Sequence, residues 1–199
     1  MTVADSDVRP MTPDDGPGMI GVLATGFMDD AFMRWAAPDE VARTVLTHQW
    51  ATAATGMVVA GHVEGYVADD MAGGALWAAP GVDFWTDEGR AAFFGSLVGA
   101  MGERAPELAR LAPFGEAHPA EPHWYLHKIA VHPARQGAGV GQRLLDPILV
   151  RADEGGYVIH LESSNPRNRS FYHRNGFEPG LSVDLDEDDD LLVMTRQPR

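Results

Sequence analysis

Residues 124–141, WYLHKIAVHPARQGAGVG, run a strand through a proline stop and a glycine-rich turn straight into a helix. Leu126, Ile129, Ala130 and Val131 carry the apolar, β-branched character of a strand. Pro133 ends it, because proline cannot donate to a strand ladder. Glycines follow at 137, 139 and 141, and then the apolar residues change to helical spacing: Val140, Leu144, Leu145, Ile148, Leu149, Ala152. Glycine lets the backbone bend sharply and approach a ligand closely. The first helical N–H groups lack partners within the helix, and the helix dipole adds positive potential there. The junction is therefore an anion cradle suited to a phosphate or pyrophosphate, with Arg135 and Gln136 as side-chain donors.

Two readings of the junction stand beside that one. A dinucleotide fingerprint needs G-x-G-x-x-G directly after the strand and an acid about 20 residues on. Glu162 lies 21 residues past Gly141, but Gln142 stands where the third glycine belongs, and residues 132–135 separate strand from glycines. A plain turn is the other reading.

The rest of the chain supplies strands and helices in alternation. A first strand is expected over residues 8–12, and Thr12-Pro13-Asp14-Asp15 reads as a helix start. Met19, Ile20, Val22, Leu23 and Phe27 form that helix's apolar face. A second helix is expected over 38–55, with Val41, Val45, Leu46 and Trp50 inward. Residues 66–69 and 71–78 read as a hairpin, with a bulge at Gly73-Gly74. A helical stretch follows over 84–111, divided at Pro106, with Phe93, Phe94, Leu97, Val98 and Met101 as core. Residues 113–122 read as an extended connector. The long helix after the cradle reaches Glu154, is expected to kink at Pro147, and ends at Gly155-Gly156. A strand over 157–162, a short helix over 165–175 and a final hairpin around the acid run 186–190 complete the chain. A mixed sheet with helices on both faces follows, as one domain over 1–199 with residues 1–7 as a loose tail.

Composition narrows the function. The formal charge of −14 argues against nucleic acid or an anionic membrane as partner and suits a cationic acceptor such as an amine. With no cysteine, the chain forms neither a disulfide nor a thiol acyl-enzyme. The N-terminus has no signal-peptide core, and no apolar run is long enough to span a membrane, so a cytoplasmic protein is expected. The eight histidines are read as forming no ligand set, and no metal is expected.

Residues 131–141, VHPARQGAGVG, resemble the acetyl-CoA loop V-x-P-x-x-[QR]-G-x-G-x-[GA] of the GCN5-related N-acetyltransferase (GNAT) family. Residues 165–177, NPRNRSFYHRNGF, resemble that family's later N-x-x-x-x-x-F-Y-x-x-x-G-F signature. Within the family, VADDMAGGALW, LAPFGEAHPAEPHWYL and LESSNPRNRSFY are most similar to the puromycin N-acetyltransferase type, and the N-terminal half matches more loosely. The resemblance implies the GNAT fold: a mostly antiparallel mixed sheet, splayed where acetyl-CoA binds. It implies direct acetyl transfer from acetyl-CoA to a small-molecule amine, antibiotics among the acceptors. The partner is then an amine acceptor, and the protein a monomer or homodimer. A non-catalytic acyl-CoA sensor and a protein or peptide acetyltransferase are the alternatives.

The resemblance also assigns residues. Tyr172 is the expected general acid at the thioester sulfur. His127 aligns with the strand position of a family base, and Glu162 is its rival as base or ammonium contact. Cosubstrate binding falls to Ile129, Ala130 and Val131 on the strand and to Arg135, Gln136, Gly137, Ala138, Gly139, Val140 and Gly141 in the loop. Asn165, Asn168 and Phe171 are expected to join them. For the acceptor, an acid and aromatics suit an amine bearing a planar group, which picks out Asp30, Phe32, Trp35, Trp77, Phe84 and Trp85.

Overall fold

The computed structural model describes residues 8–199. The expected tail over 1–7 lies outside these. The elements in order are β1 (Val8–Pro10), α1 (Gly16–Phe27), α2 (Ala31–Ala36), α3 (Glu40–Val59), β2 (Glu64–Ala68), β3 (Gly73–Ala78) and α4 (Asp87–Met101). They continue with α5 (Ala112–Ala117), β4 (Trp124–Val131), α6 (Val140–Gly155), β5 (Ile159–Ser163), α7 (Pro166–Arg174), β6 (Phe177–Asp184) and β7 (Asp190–Arg196).

All seven strands form one sheet in the order β1-β2-β3-β4-β5-β7-β6. Every pairing is antiparallel except β4 with β5. That parallel ladder holds only Trp124↔Ile159 and Tyr125↔His160. Beyond it the two strands part, while β5 stays paired to β7 as far as Ser163. The expected splay is thus present at the centre of the sheet.

Two cores flank the sheet. One packs α1, α2, α3 and α4 around Met19, Leu23, Trp35, Leu46, Trp50 and Leu97. The other packs α6 and α7 around Trp77, Trp124, Leu144, Leu145, Ile148, Tyr172 and Phe177. Glycines set two close approaches. A Cβ on Gly73 would sit 2.8 Å from the Ala130 carbonyl oxygen, and one on Gly26 would sit 2.8 Å from the Ala130 Cβ. Strand β4 is therefore clamped between β3 and α1.

Several expectations need correction. Val41 and Val45 face solvent, because α3 buries the stripe through Leu46, Trp50 and Ala54. Phe94 and Val98 are likewise exposed, while Leu97 and Met101 turn inward. The break after α4 comes at Gly102, whose φ of +55° suits glycine, and Pro106 sits inside the 3-10 run Gly102–Leu111. The expected connector over 113–122 contains α5, with Pro113 in its first turn, where proline's missing N–H costs nothing. Helix α6 contains Pro147 and closes, as expected, at Gly155 with Gly156 as its left-handed cap at φ +70°. The register shift expected at Gly73-Gly74 lies between Leu76 and Trp77 instead.

That shift organises the central strand. Leu76 pairs with Lys128 and Trp77 with Leu126, so His127 is the extra residue of a β-bulge. A regular strand would send neighbours to opposite faces. Here the bulge sends His127 and Lys128 both toward α1 and α3: each lies against Trp50.

Candidate functional site

A cleft of about 710 Å³ opens where β4 and β5 part. Its walls are the end of α1, residues 126–131 of β4, the glycine loop, residues 161–165 and the inner face of α7. The floor of the loop is made as the sequence dictates. Pro133–Arg135 forms one 3-10 turn, Gly137 and Gly139 take φ of +77° and +75°, and α6 starts at Val140. The orphan N–H groups of α6 thus open on the cleft mouth. Val140, Leu144 and Ile148 anchor the helix beneath the sheet.

Arg143 braces the loop from behind: its Nη1 donates to the Ala138 carbonyl at 3.3 Å, while its Nε and Nη2 are buried without a partner among the described residues. On the other wall, Asn165 caps α7 by accepting from the Arg167 N–H at 3.0 Å. Gln142 and Asn175 exchange side-chain hydrogen bonds at 2.7 and 3.0 Å, tying α6 to α7. Phe171 then rests beside Gly141.

Tyr172 lies on the buried side of α7, edge-on to Phe177 at 5.7 Å. Burial first, and the Asp30 charge second, push its phenol well above the usual tyrosine range. Asp30 caps α2 through the Phe32 N–H at 3.0 Å and accepts the Ser164 hydroxyl at 2.5 Å. Burial raises its carboxyl, and Ser164 and Lys128 offset part of that rise. Lys128 sits over the rings of Trp50 and Phe27 at 5.2 and 5.6 Å. Burial lowers its ammonium, with the charges of Glu162 and Asp30 opposing.

At the inner end His127 stacks on Phe84 with centroids 3.7 Å apart and meets Trp85 edge-on at 5.2 Å. Burial, then Lys128, holds it well below the usual histidine range, so the resting ring is neutral. Glu162 receives the Tyr125 hydroxyl at 2.7 Å and His160 Nε2 at 3.0 Å, and His118 Nε2 lies at 3.3 Å. Burial raises its carboxyl, but the hydrogen bonds from His118, His160 and Tyr125 outweigh this. The group stays a carboxylate well below its ordinary range.

The cleft gathers the sequence candidates Tyr172, Glu162, His127, Asp30, Ile129, Ala130, Val131, Arg135, Gln136, Gly137, Gly139, Val140, Gly141, Asn165, Asn168 and Phe171. Ala138 lies outside its walls, and so do Phe32, Trp35, Trp77, Phe84 and Trp85. Trp77 is fully buried in the core on the α6 side of the sheet and cannot meet an acceptor. Trp35 is buried in the other core beneath Arg104, 5.9 Å from its ring. Phe84 and Trp85 instead support His127.

Sequence reasoning missed Lys128, Tyr125 and the cluster of His118, His160 and Glu162, whose ligand-type atoms lie within 4.8 Å of one another. The one histidine spacing of ligand type, His123-x-x-x-His127, includes neither His118 nor His160. The cluster is long-range and appears only once β4 and β5 are paired.

A sheet parted at its centre, with an anion-binding helix N-terminus at the mouth of the gap, defines a class of acyl-carrier-dependent transferases. The comparisons agree. The acetyltransferase (GNAT) domain model matches residues 86–179. The crystal structure of histone acetyltransferase HPA2 and related acetyltransferase from Corynebacterium glutamicum superposes with a TM-score of 0.68 at 30% identity, covering 98% of this chain and 97% of that one. YncA from Salmonella typhimurium, solved with its cofactor acetyl-CoA, gives 0.54 at 16% identity, covering 98% and 95%. An uncharacterized N-acetyltransferase of Schizosaccharomyces pombe is 29% identical over 149 residues, 65% of this chain and 58% of that protein. The chain spans about half the length of the curated relatives it matches. It belongs to the GNAT family of acyltransferases.

Proposed function

We propose that the protein transfers the acetyl group of acetyl-CoA to the amine of a small molecule, directly and without an acyl-enzyme. The parting of β4 from β5 above the glycine cradle carries this reading. Acetyl-CoA supplies an activated thioester. The loop N–H groups from Gln136 to Gly141 hold its pyrophosphate, and the free edge of β4 at Ile129–Val131 offers backbone groups to its arm. As the amine nitrogen bonds to the acetyl carbon, the carbon–sulfur bond breaks. Tyr172 gives its proton to the departing sulfur and takes back one that leaves the nitrogen. The raised phenol suits a group that must stay protonated until sulfur leaves.

A small acceptor is supported by the inner end of the cleft, where His127 lines the wall and Asp30 and Glu162 supply negative charge. Puromycin-type amines fit that chemistry. A peptide acceptor is the second reading, favoured by the histone acetyltransferase name of the Corynebacterium relative. Release of free CoA from acetyl-CoA, measured with puromycin, other amine antibiotics, polyamines and a lysine peptide, tests both. Release with a drug-like amine supports the first reading, and release with the peptide alone supports the second. Failure to bind acetyl-CoA refutes the cradle.

A further inference from the structure

The histidines around Glu162 form an ordered chain whose protons can be assigned. The Glu121 carbonyl only accepts, so His123 Nδ1, at 2.9 Å, carries hydrogen. His123 Nε2 and His118 Nδ1 lie 3.2 Å apart and share one proton. His118 Nε2 faces the Glu162 carboxylate at 3.3 Å. Burial lowers His123, and its hydrogen bond to the Glu121 carbonyl offsets part of that.

The other end of the chain points inward. Tyr125 has a single hydroxyl proton and spends it on Glu162 Oε2 at 2.7 Å. Its oxygen is then an acceptor toward His127 Nδ1 at 3.3 Å. That fixes His127 with hydrogen on Nδ1 and a bare lone pair on Nε2. Among the described residues Nε2 is buried and has no partner, in a side chain 8% exposed that lines the cleft. A buried acceptor without a donor is the unmet valence that a substrate N–H completes.

We propose that Tyr125, Glu162 and His118 form a positioning chain that locks His127 in the Nδ1–H tautomer, making His127 Nε2 the atom that takes the acceptor's proton. The chain needs acetyl transfer for its use, but the tautomer belongs to the resting protein. In the step, one ammonium N–H breaks, its proton goes to Nε2, and the electron pair stays on nitrogen for attack. His127 becomes an imidazolium, steadied by Glu162 through Tyr125, and returns the proton to water. The orienting logic is that of a carboxylate behind a catalytic histidine, with a tyrosine between them. Glu162, already engaged by three donors, acts through His127. The charges bearing on His127 are Lys128 beside it, Glu162 from β5 and His118 from the segment before β4; the rings from α3 and from before α4 are uncharged.

The same cluster has the residue types of a metal site. Ligation through His160 Nε2 would force hydrogen onto its Nδ1, which is buried without a partner. Donation from Nε2 to Glu162 leaves only a bare lone pair there, and orphaned buried N–H groups are the rarer case.

Long-range ¹H–¹⁵N correlation spectra of the full chain, labelled at histidine, test the proposal at pH 7.5. The expected result is a protonated Nδ1 and bare Nε2 for His127. In Tyr125→Phe the His127 signals should move to a tautomer average. Acceptor-dependent kcat should fall about 10²-fold, the scale of general-base assistance, with the KM for acetyl-CoA within about twofold. His118→Asn, a change at a partly exposed position, should move the same signals less. A His127 Nε2–H tautomer in the wild type, or an unmoved tautomer in Tyr125→Phe, overturns the proposal. So does stoichiometric zinc that shifts the His118 and His160 signals at micromolar concentration. A wild type with the expected tautomers and no turnover on any amine counts against the acetyl-transfer reading and leaves the chain standing.

Discussion

Gly73→Ala tests how tightly the cleft wall is built. The new methyl would lie 2.8 Å from the Ala130 carbonyl oxygen, 3.0 Å from Leu144 Cδ1 and 3.1 Å from Val140 Cγ1. An ordinary contact begins near 3.4 Å, so the carbonyl must yield about 0.6 Å. The oxygen belongs to backbone and cannot rotate aside as a side chain would. Leu144 and Val140 are themselves core residues beneath the cradle. Overpacking of this kind costs about 1–3 kcal/mol. At about 2–4 °C per kcal/mol for a chain of this size, Tm should fall by roughly 2–12 °C. Because the displaced group is in β4 beside Ile129 and Val131, the KM for acetyl-CoA should rise while the acceptor KM changes little. Gly21→Ala is the control: it lies on the exposed face of α1 with nothing within 4 Å of the new Cβ. It should raise stability by about 0.5–1 kcal/mol, the usual gain for alanine over glycine inside a helix. Calorimetry with steady-state kinetics reads both. A Gly73→Ala protein with wild-type Tm and wild-type KM would refute the clamp on β4.

Tyr172→Phe should lower kcat by about 10²-fold or more with little change in the KM for acetyl-CoA, read by CoA release across pH. Arg135→Gln should raise the KM for acetyl-CoA about tenfold and weaken its dependence on salt, because a charge lining the cleft is lost. Asp153 accepts two hydrogen bonds from the buried Arg196 at 2.7 and 2.8 Å, and these, followed by the Arg199 N–H at 2.8 Å and the Arg196 charge, hold its carboxyl low against burial. Stability from a lowered carboxyl is present above its unfolded value near 4 and is lost as pH falls toward the folded one. Asp153→Asn should therefore lower Tm at pH 7, and the difference from wild type should shrink below about pH 4 in thermal melts. Persistence of the full difference at low pH would refute the ion pair.

The cradle was legible because its requirements are local. A strand, a proline, glycines at alternate positions and a helical stripe lie within 30 residues of one another, and the structure joins them as written. Asn165 was legible for the same reason: a cap announces itself next to its helix. The inner end was not, because it depends on pairings across long stretches of chain. Tyr125 and Glu162 meet through the two-residue ladder between β4 and β5. His118 joins them from the segment before β4. The bulge that turns His127 and Lys128 to one side is invisible to a period-two reading of β4. Among the aromatics, composition suggested an acceptor pocket, whereas Trp35 and Trp77 serve the cores of opposite faces. A tryptophan's ring alone cannot say which side of a sheet it fills, and one position of register decides it.

The parted ladder has a consequence for how this molecule keeps to itself. An unpaired strand edge normally invites another chain to add to it. Here residues 126–131 of β4 present such an edge in the middle of the sheet rather than at its rim, facing α1 and α7 across the gap. A neighbouring copy would have to thread a wedge-shaped opening with helices on both sides, which a slender extended ligand can do and a folded domain cannot. The molecule thus keeps the adhesive property of a sheet edge while reserving it for guests narrow enough to enter.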